Sequence, residues 1–315
     1  MKILIISGFL GAGKTTFIKE LIKRTNKKIV VLENEYGNVD VDRRLIEEEK
    51  ADVWDLTEGC VCCTKSADLN ASVITIESTL EPEYLVIEPS GIGALSNILR
   101  NLKKIEYERI TLLSPLTILD VDSFLGDNQE FLEIYKDQIQ NAAEVVISKP
   151  ERPDSLLMSR VVKCVRDINP NARVLPTHYK QMPDSWWNSL LSTKFNGEII
   201  NEKDETELNL DRFTLSPCRT DSPTALLWIL EQAAYGRFGN IIRAKGILKA
   251  GKEFVSFDLV NGKITISGLG TQQKELKSEC VWIGRNIDKN SLLNYLCDPM
   301  ASMMKRPLAG KKFAS

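Results

Sequence analysis

Gly8-Phe9-Leu10-Gly11-Ala12-Gly13-Lys14-Thr15 decides how the chain folds, because it joins an apolar run, Lys2–Ser7 (KILIIS), to a stretch of helical spacing, Thr15–Arg24. The eight residues match G-x-x-x-x-G-K-[ST], a phosphate-binding loop that requires a strand before it and a helix after it. Glycines let backbone amides converge on phosphates, and the helix N-terminus adds a positive dipole end. Lys14 would neutralise the β/γ oxygens and the Thr15 hydroxyl would ligate Mg²⁺. Gly8, Gly11, Ala12, Gly13, Lys14, Thr15 and Thr16 are therefore the candidate nucleotide contacts. The rival reading is a Gly-rich turn without a ligand; a chance match in such a chain is on the order of 1%.

Outward from this loop, short β-branched runs alternate with helical stretches. Lys28–Leu32, Ala51–Leu56, Tyr84–Ile87, Leu116–Leu119 and Val145–Ile147 read as strands, and Ala67–Leu80, Glu130–Ala143 and Pro153–Asn169 as helices. The pattern predicts an α/β fold, a P-loop NTPase domain whose mostly parallel sheet is covered by helices. From Met182 the text changes: Trp186 and Trp187 sit near polar stretches, and Asn201–Glu207 (NEKDETE) has little to bury. Beyond it, strand-like Phe213–Leu215, Ala244–Leu248, Phe254–Leu259 and Lys263–Ile266 and a helical Thr224–Ala234 suggest a smaller C-terminal α+β domain. Asn261-Gly262 is a hairpin signal between the last two strands. The expected boundaries are a P-loop domain over 1–190, a linker over 191–206, a C-terminal domain over 207–300 and a tail over 301–315.

At 315 residues the chain exceeds the usual size of one core, which agrees with two domains. With 43% apolar and 27% charged residues it has the composition of a globular protein. A formal charge of −2 argues against non-specific attraction to nucleic acid or an anionic membrane. No apolar run approaches the roughly 20 residues that cross a bilayer, and Lys14 interrupts any secretory leader. A cytoplasmic protein with no nucleic-acid or membrane partner is expected.

Glu88 ends a strand and Gly91 follows it, the placement at which a carboxylate holds the Mg²⁺ shell or orients water and a Gly amide reaches the γ-phosphate. A strand-terminal acid facing solvent is the alternative. Ser148-Lys149-Pro150-Glu151 follows a later strand and resembles the guanine signature N-K-x-D, with Ser for Asn and Glu for Asp. A carboxylate at the fourth position favours guanine, which presents two donors, while the Lys149 stem can cover the base. A loop that binds no base, or accepts ATP, is the competing reading.

Gly59-Cys60-Val61-Cys62-Cys63 places three of the seven cysteines within four residues. Thiolates at this density suit Zn²⁺, Co²⁺ or Cu⁺. A structural zinc site would bring a second Cys or His pair, yet the one histidine, His178, reads as a surface loop residue. Cys164, Cys218, Cys280 and Cys297 stand apart and read as small core residues. An incomplete ligand set suits a transferable metal, and a redox thiol group is the alternative.

The loop GFLGAGKTT, Asn34-Glu35-Tyr36-Gly37 followed by Asp42, the GCVCC cluster and Glu88-Pro89-Ser90-Gly91 together resemble the CobW-type GTPases. These are related to the nickel-insertion GTPases of hydrogenase and urease maturation. The resemblance covers about residues 1–180 and continues more weakly at Arg243-Ala244-Lys245-Gly246. It implies GTP hydrolysis, with Mg²⁺, coupled to delivery of Zn²⁺ or Co²⁺ as transferable cargo to a client metalloprotein or cofactor-assembly protein. By position it implies Lys14 and Glu88 as catalytic groups, and Glu35 to Asp42 as a γ-phosphate-sensing switch segment. Thr15, Glu35, Asp42, Cys60, Cys62 and Cys63 would be the metal contacts, and Gly91, Ser148, Lys149 and Glu151 nucleotide contacts. Two positions depart from the pattern: Asn38 stands where many members have Glu, and Pro89 where Ser or Thr is common. A small-molecule phosphotransferase would leave the cysteines unexplained; a nucleotide-gated redox module would use them differently.

Overall fold

Apolar residues on both faces of a strand demand cover on both sides, and β1 (Lys2–Gly8) shows it directly. Leu4 and Ile6 enter one core with α1 (Lys14–Thr25), while Ile3 and Ile5 enter another on the opposite face. The computed structural model describes residues 1–33, 52–55, 66–125, 131–148, 155–175, 177–200, 210–260, 262–269 and 278–297. These fall into two units, residues up to 200 and residues from 210.

The first unit is an all-parallel sheet built from β1, β2 (Ile29–Glu33), β3 (Asp52–Asp55), β4 (Tyr84–Glu88), β5 (Thr111–Leu112), β6 (Leu116–Asp120), β7 (Glu144–Ser148) and β8 (Arg173–Val174). Its order is β3-β2-β4-β1-β6-β7-β8, with β5 also beside β1. The helices after α1 are α2 (Ser66–Leu80), α3 (Leu95–Lys103), α4 (Val121–Leu125), α5 (Leu132–Gln140), α6 (Ser155–Ile168) and α7 (Asp184–Leu190). This is the expected α/β architecture, with β1 near its centre and the phosphate loop at its carboxyl end.

The stretch after Met182 differs from its sequence reading. Trp186 and Trp187 lie on α7 and are 4% and 0% exposed, packed with Phe17 of α1. Residues 191–200, expected to begin a linker, are bonded to the first unit. Phe195 N donates to Leu112 O at 3.0 Å, Ile200 N donates to Asn141 Oδ1 at 2.8 Å, and Phe195 is buried. The partners of this stretch are all distant in sequence, which local periodicity does not reveal. Residues 201–209 and the tail lie outside the described residues.

The second unit is a mainly antiparallel sheet with α8 (Pro223–Ala234) and α9 (Lys289–Leu296). Its strands are β9 (Asp211–Leu215), β10 (Arg219–Thr220), β11 (Asn240–Ala250), β12 (Glu253–Val260), β13 (Lys263–Gly268) and β14 (Glu279–Arg285), in the order β13-β12-β11-β14-β9 with β10 beside β11. Val260 pairs with Lys263 across the expected hairpin turn. Cys218 and Cys280 are buried as expected, but Cys297 is exposed and Cys164 partly so. His178 accepts a hydrogen bond from Lys180 N and stacks on Tyr179. No helix among the described residues is long and apolar enough to cross a membrane.

Candidate functional site

Parallel strands direct their carboxyl ends to one edge of the sheet, where ligand sites of such folds gather. Gly8, Glu33, Glu88, Asp120 and Ser148 each end a strand there. The backbone of Gly8 has φ 147°, and a Cβ at this position would lie 2.4 Å from Ile118 O, so the turn out of β1 has room for no side chain. Ala12 N donates to Phe9 O at 3.1 Å, and Phe17 N donates to Gly13 O at 3.0 Å as α1 begins. Gly13, the N-cap, offers no side chain to the first-turn N–H groups, which leaves that positive end to an anion.

Lys14 is buried, and its Nζ donates to Gly8 O at 3.1 Å and Phe9 O at 3.4 Å. The ammonium is thus curled over the loop it would share with phosphate. Thr15 Oγ1 faces both carboxylate oxygens of Glu88, at 3.1 and 3.2 Å, and Glu88 is buried. A hydroxyl beside a carboxylate at the start of a helix is an all-oxygen donor set of the kind Mg²⁺ takes. Thr16 is exposed.

Gly91 touches the loop itself: a Cβ there would meet Leu10 N at 2.5 Å and Phe9 C at 2.9 Å. Only glycine allows the segment after β4 to approach so closely. Ser148 Oγ donates to Ala12 O at 2.6 Å, so the first residue of the candidate base loop ties β7 to the phosphate loop. Lys149 and Glu151, like Glu35, Asp42, Cys60, Cys62 and Cys63, lie outside the described residues.

Sequence reasoning missed Glu33 and Asp120, although each ends a buried strand as Glu88 does. Glu33 stands in register with Glu88 on one side and with Asp55 on the other, and Asp120 with Ser148. It also missed the packing of Phe9, whose ring lies 5.2 Å from Phe131 and 4.8 Å from Tyr135. Burial, and then the charge of Asp120, push the Tyr135 phenol up from its ordinary pKa.

The sequence profile of the CobW/HypB/UreG nucleotide-binding domain matches residues 2–176. The chain belongs to this family. A second profile, the cobalamin synthesis protein cobW C-terminal domain, matches residues 211–298, which coincide with the second unit of this CobW-family chain. Zinc chaperone YeiR of Escherichia coli (strain K12) is 36% identical over 151 residues, 47% of this chain and 46% of that protein. Zinc-regulated GTPase metalloprotein activator 1 of Schizosaccharomyces pombe is 30% identical over 193 residues, 57% of this chain and 46% of that one. The CobW-family chain thus spans about half the length of the curated relatives it matches. Among solved structures, Zn(II)-bound YjiA GTPase from E. coli is similar at 16% identity and a TM-score of 0.45, over 98% of this chain and 99% of that one.

Proposed function

We propose that this CobW-family protein binds and slowly hydrolyses GTP, and uses that cycle to hold and release a divalent metal for a client protein. The observation that carries the reading is the convergence of Lys14, Thr15 and Glu88 at the carboxyl end of β1 and β4. In it Lys14 faces the β/γ-phosphates, Thr15 with Glu88 holds Mg²⁺, and Gly91 presents backbone to the γ-phosphate. Thr15 and Glu88 would hold Mg²⁺, which would supply positive charge to offset that of the phosphates. Turnover is expected to be slow without a partner, since an arginine finger supplied from elsewhere contributes about 10³–10⁵ in rate.

Cys60, Cys62 and Cys63 are proposed as ligands of the cargo, zinc or cobalt, with Glu35 and Asp42 in the switch segment. Names of relatives as zinc chaperones support zinc. Strand order supports contact between the two chemistries: β3, which leads toward the cysteines, neighbours β2, which leads toward Glu35, and β2 neighbours β4. The three strands end side by side at one edge of the sheet. The client is a metalloprotein or cofactor-assembly protein, and the compartment the cytoplasm.

Zinc and nucleotide should then be coupled, with zinc bound about 5–150-fold more tightly beside a non-hydrolysable GTP analogue than beside GDP. Replacing Cys62 and Cys63 by Ser should abolish the difference and spare GTP binding. Equal zinc affinities in both nucleotide states would leave a GTPase without gated delivery. Glu151→Ala should narrow the preference for GTP over ATP, and unchanged competition by ATP would remove Glu151 from base recognition.

A further inference from the structure

One helix and the residue before it reach both halves of the phosphate site. Tyr135 of α5 and Phe131, just before that helix, pack on Phe9 of the phosphate loop. One turn on, Gln138 is 1% exposed, and its Nε2 donates to Gly91 O and to Gly93 O, both at 3.2 Å. Its own backbone is anchored, since Thr117 Oγ1 of β6 donates to Gln138 O at 2.8 Å. Beside it, Asp137 Oδ2 accepts from Ser96 N at 3.1 Å, which fixes the start of α3 to the same helix.

The segment so held is the one that follows Glu88. Gly93 N donates to Ser90 O at 2.8 Å, closing a turn, and Gly91 is pressed against Leu10. Two polar atoms there have no partner among the described residues, the Ser90 hydroxyl and Gln138 Oε1. The two carbonyls that Gln138 holds, of Gly91 and Gly93, both belong to this segment.

We propose that Gln138 is the positioning residue of the γ-phosphate response. By holding the carbonyls of Gly91 and Gly93, it sets where the Gly91 backbone stands against the phosphate loop. Discrimination between nucleoside tri- and diphosphate then runs through a side chain that touches neither. The proposal rests on the nucleotide reading above and deepens it.

The test compares wild type, Gln138→Leu and Gln138→Met in full-length protein, titrating a non-hydrolysable GTP analogue and GDP, each with Mg²⁺. Loss of two neutral hydrogen bonds predicts a fall of about 5–150-fold in the ratio of triphosphate to diphosphate affinity, with GDP affinity kept within about twofold. Gln138→Met keeps the length and flexibility of the side chain and carries the test if Gln138→Leu does not fold. A merely structural role would lower the melting temperature and weaken both nucleotides alike; that result, or an unchanged ratio in a folded variant, overturns the proposal. Failure of the underlying reading is separate and visible in wild type, which would then bind neither nucleotide.

Discussion

Lys14→Ala is expected to weaken GTP binding by about 10²-fold or more, the largest effect of any single substitution at the site. Hydrogen bonds to a charged group are each worth about 1.5–3 kcal/mol, and the lysine would make such bonds to both β- and γ-phosphate oxygens. Its position supports a prepaid geometry: the side chain is 4% exposed, with Nζ bonded to Gly8 O and Phe9 O at 3.1 and 3.4 Å. The ammonium is already inside the loop, and few rotamers remain to be lost when phosphate replaces the carbonyls as its partner. The same two bonds also brace the loop, so the comparison needs a melting curve beside each titration. With folding intact, equal binding of a labelled GTP analogue by wild type and Lys14→Ala would remove the lysine, and with it the phosphate-loop reading.

Trp187→Ala is expected to destabilise the first unit by about 3–5 kcal/mol, the usual cost of deleting a buried Trp side chain. Trp187 is 0% exposed, and its ring centroid lies 4.9 Å from Phe17, 4.8 Å from Trp186 and 6.0 Å from Tyr179. Phe17 sits in the first turn of α1, so the cavity would open directly behind the phosphate loop. For a unit of roughly 200 residues the melting temperature should fall by about 6–20 °C. Leu156→Ala, at a residue 74% exposed, is the control and should move it little. A shift no larger for Trp187 than for Leu156 would show that α7 is not part of the core that supports the site.

Part of the site was legible because it is local. Eight consecutive residues carry the phosphate loop, and the runs on either side of it declare a strand and a helix by their own periodicity. Glu88 was found by the same logic, as an acid at the end of an apolar run, and its bond to Thr15 followed. The rule applies equally to Glu33 and Asp120, each of which also ends an apolar run. The cysteine triplet was readable as chemistry through residue type and density, whereas Asp42 entered only through the family resemblance.

What the sequence determined by itself is therefore six strands and four helices of the first unit, the phosphate loop and the kinds of donor available, since each rests on residues close together in the chain; β5, β8, α3, α4 and α7 emerged only in the fold. The tertiary structure alone decided the strand order that lines β3, β2, β4 and β1 along one edge. It also decided the docking of residues 184–200 on the first unit and the contact of Gly91 with Leu10. The grip of Gln138 on two carbonyls 45 and 47 residues away belongs with these. Such pairings depend on which surfaces meet once the apolar faces are buried, and a backbone carbonyl, which every residue has, leaves no mark in the sequence to say which side chain will find it.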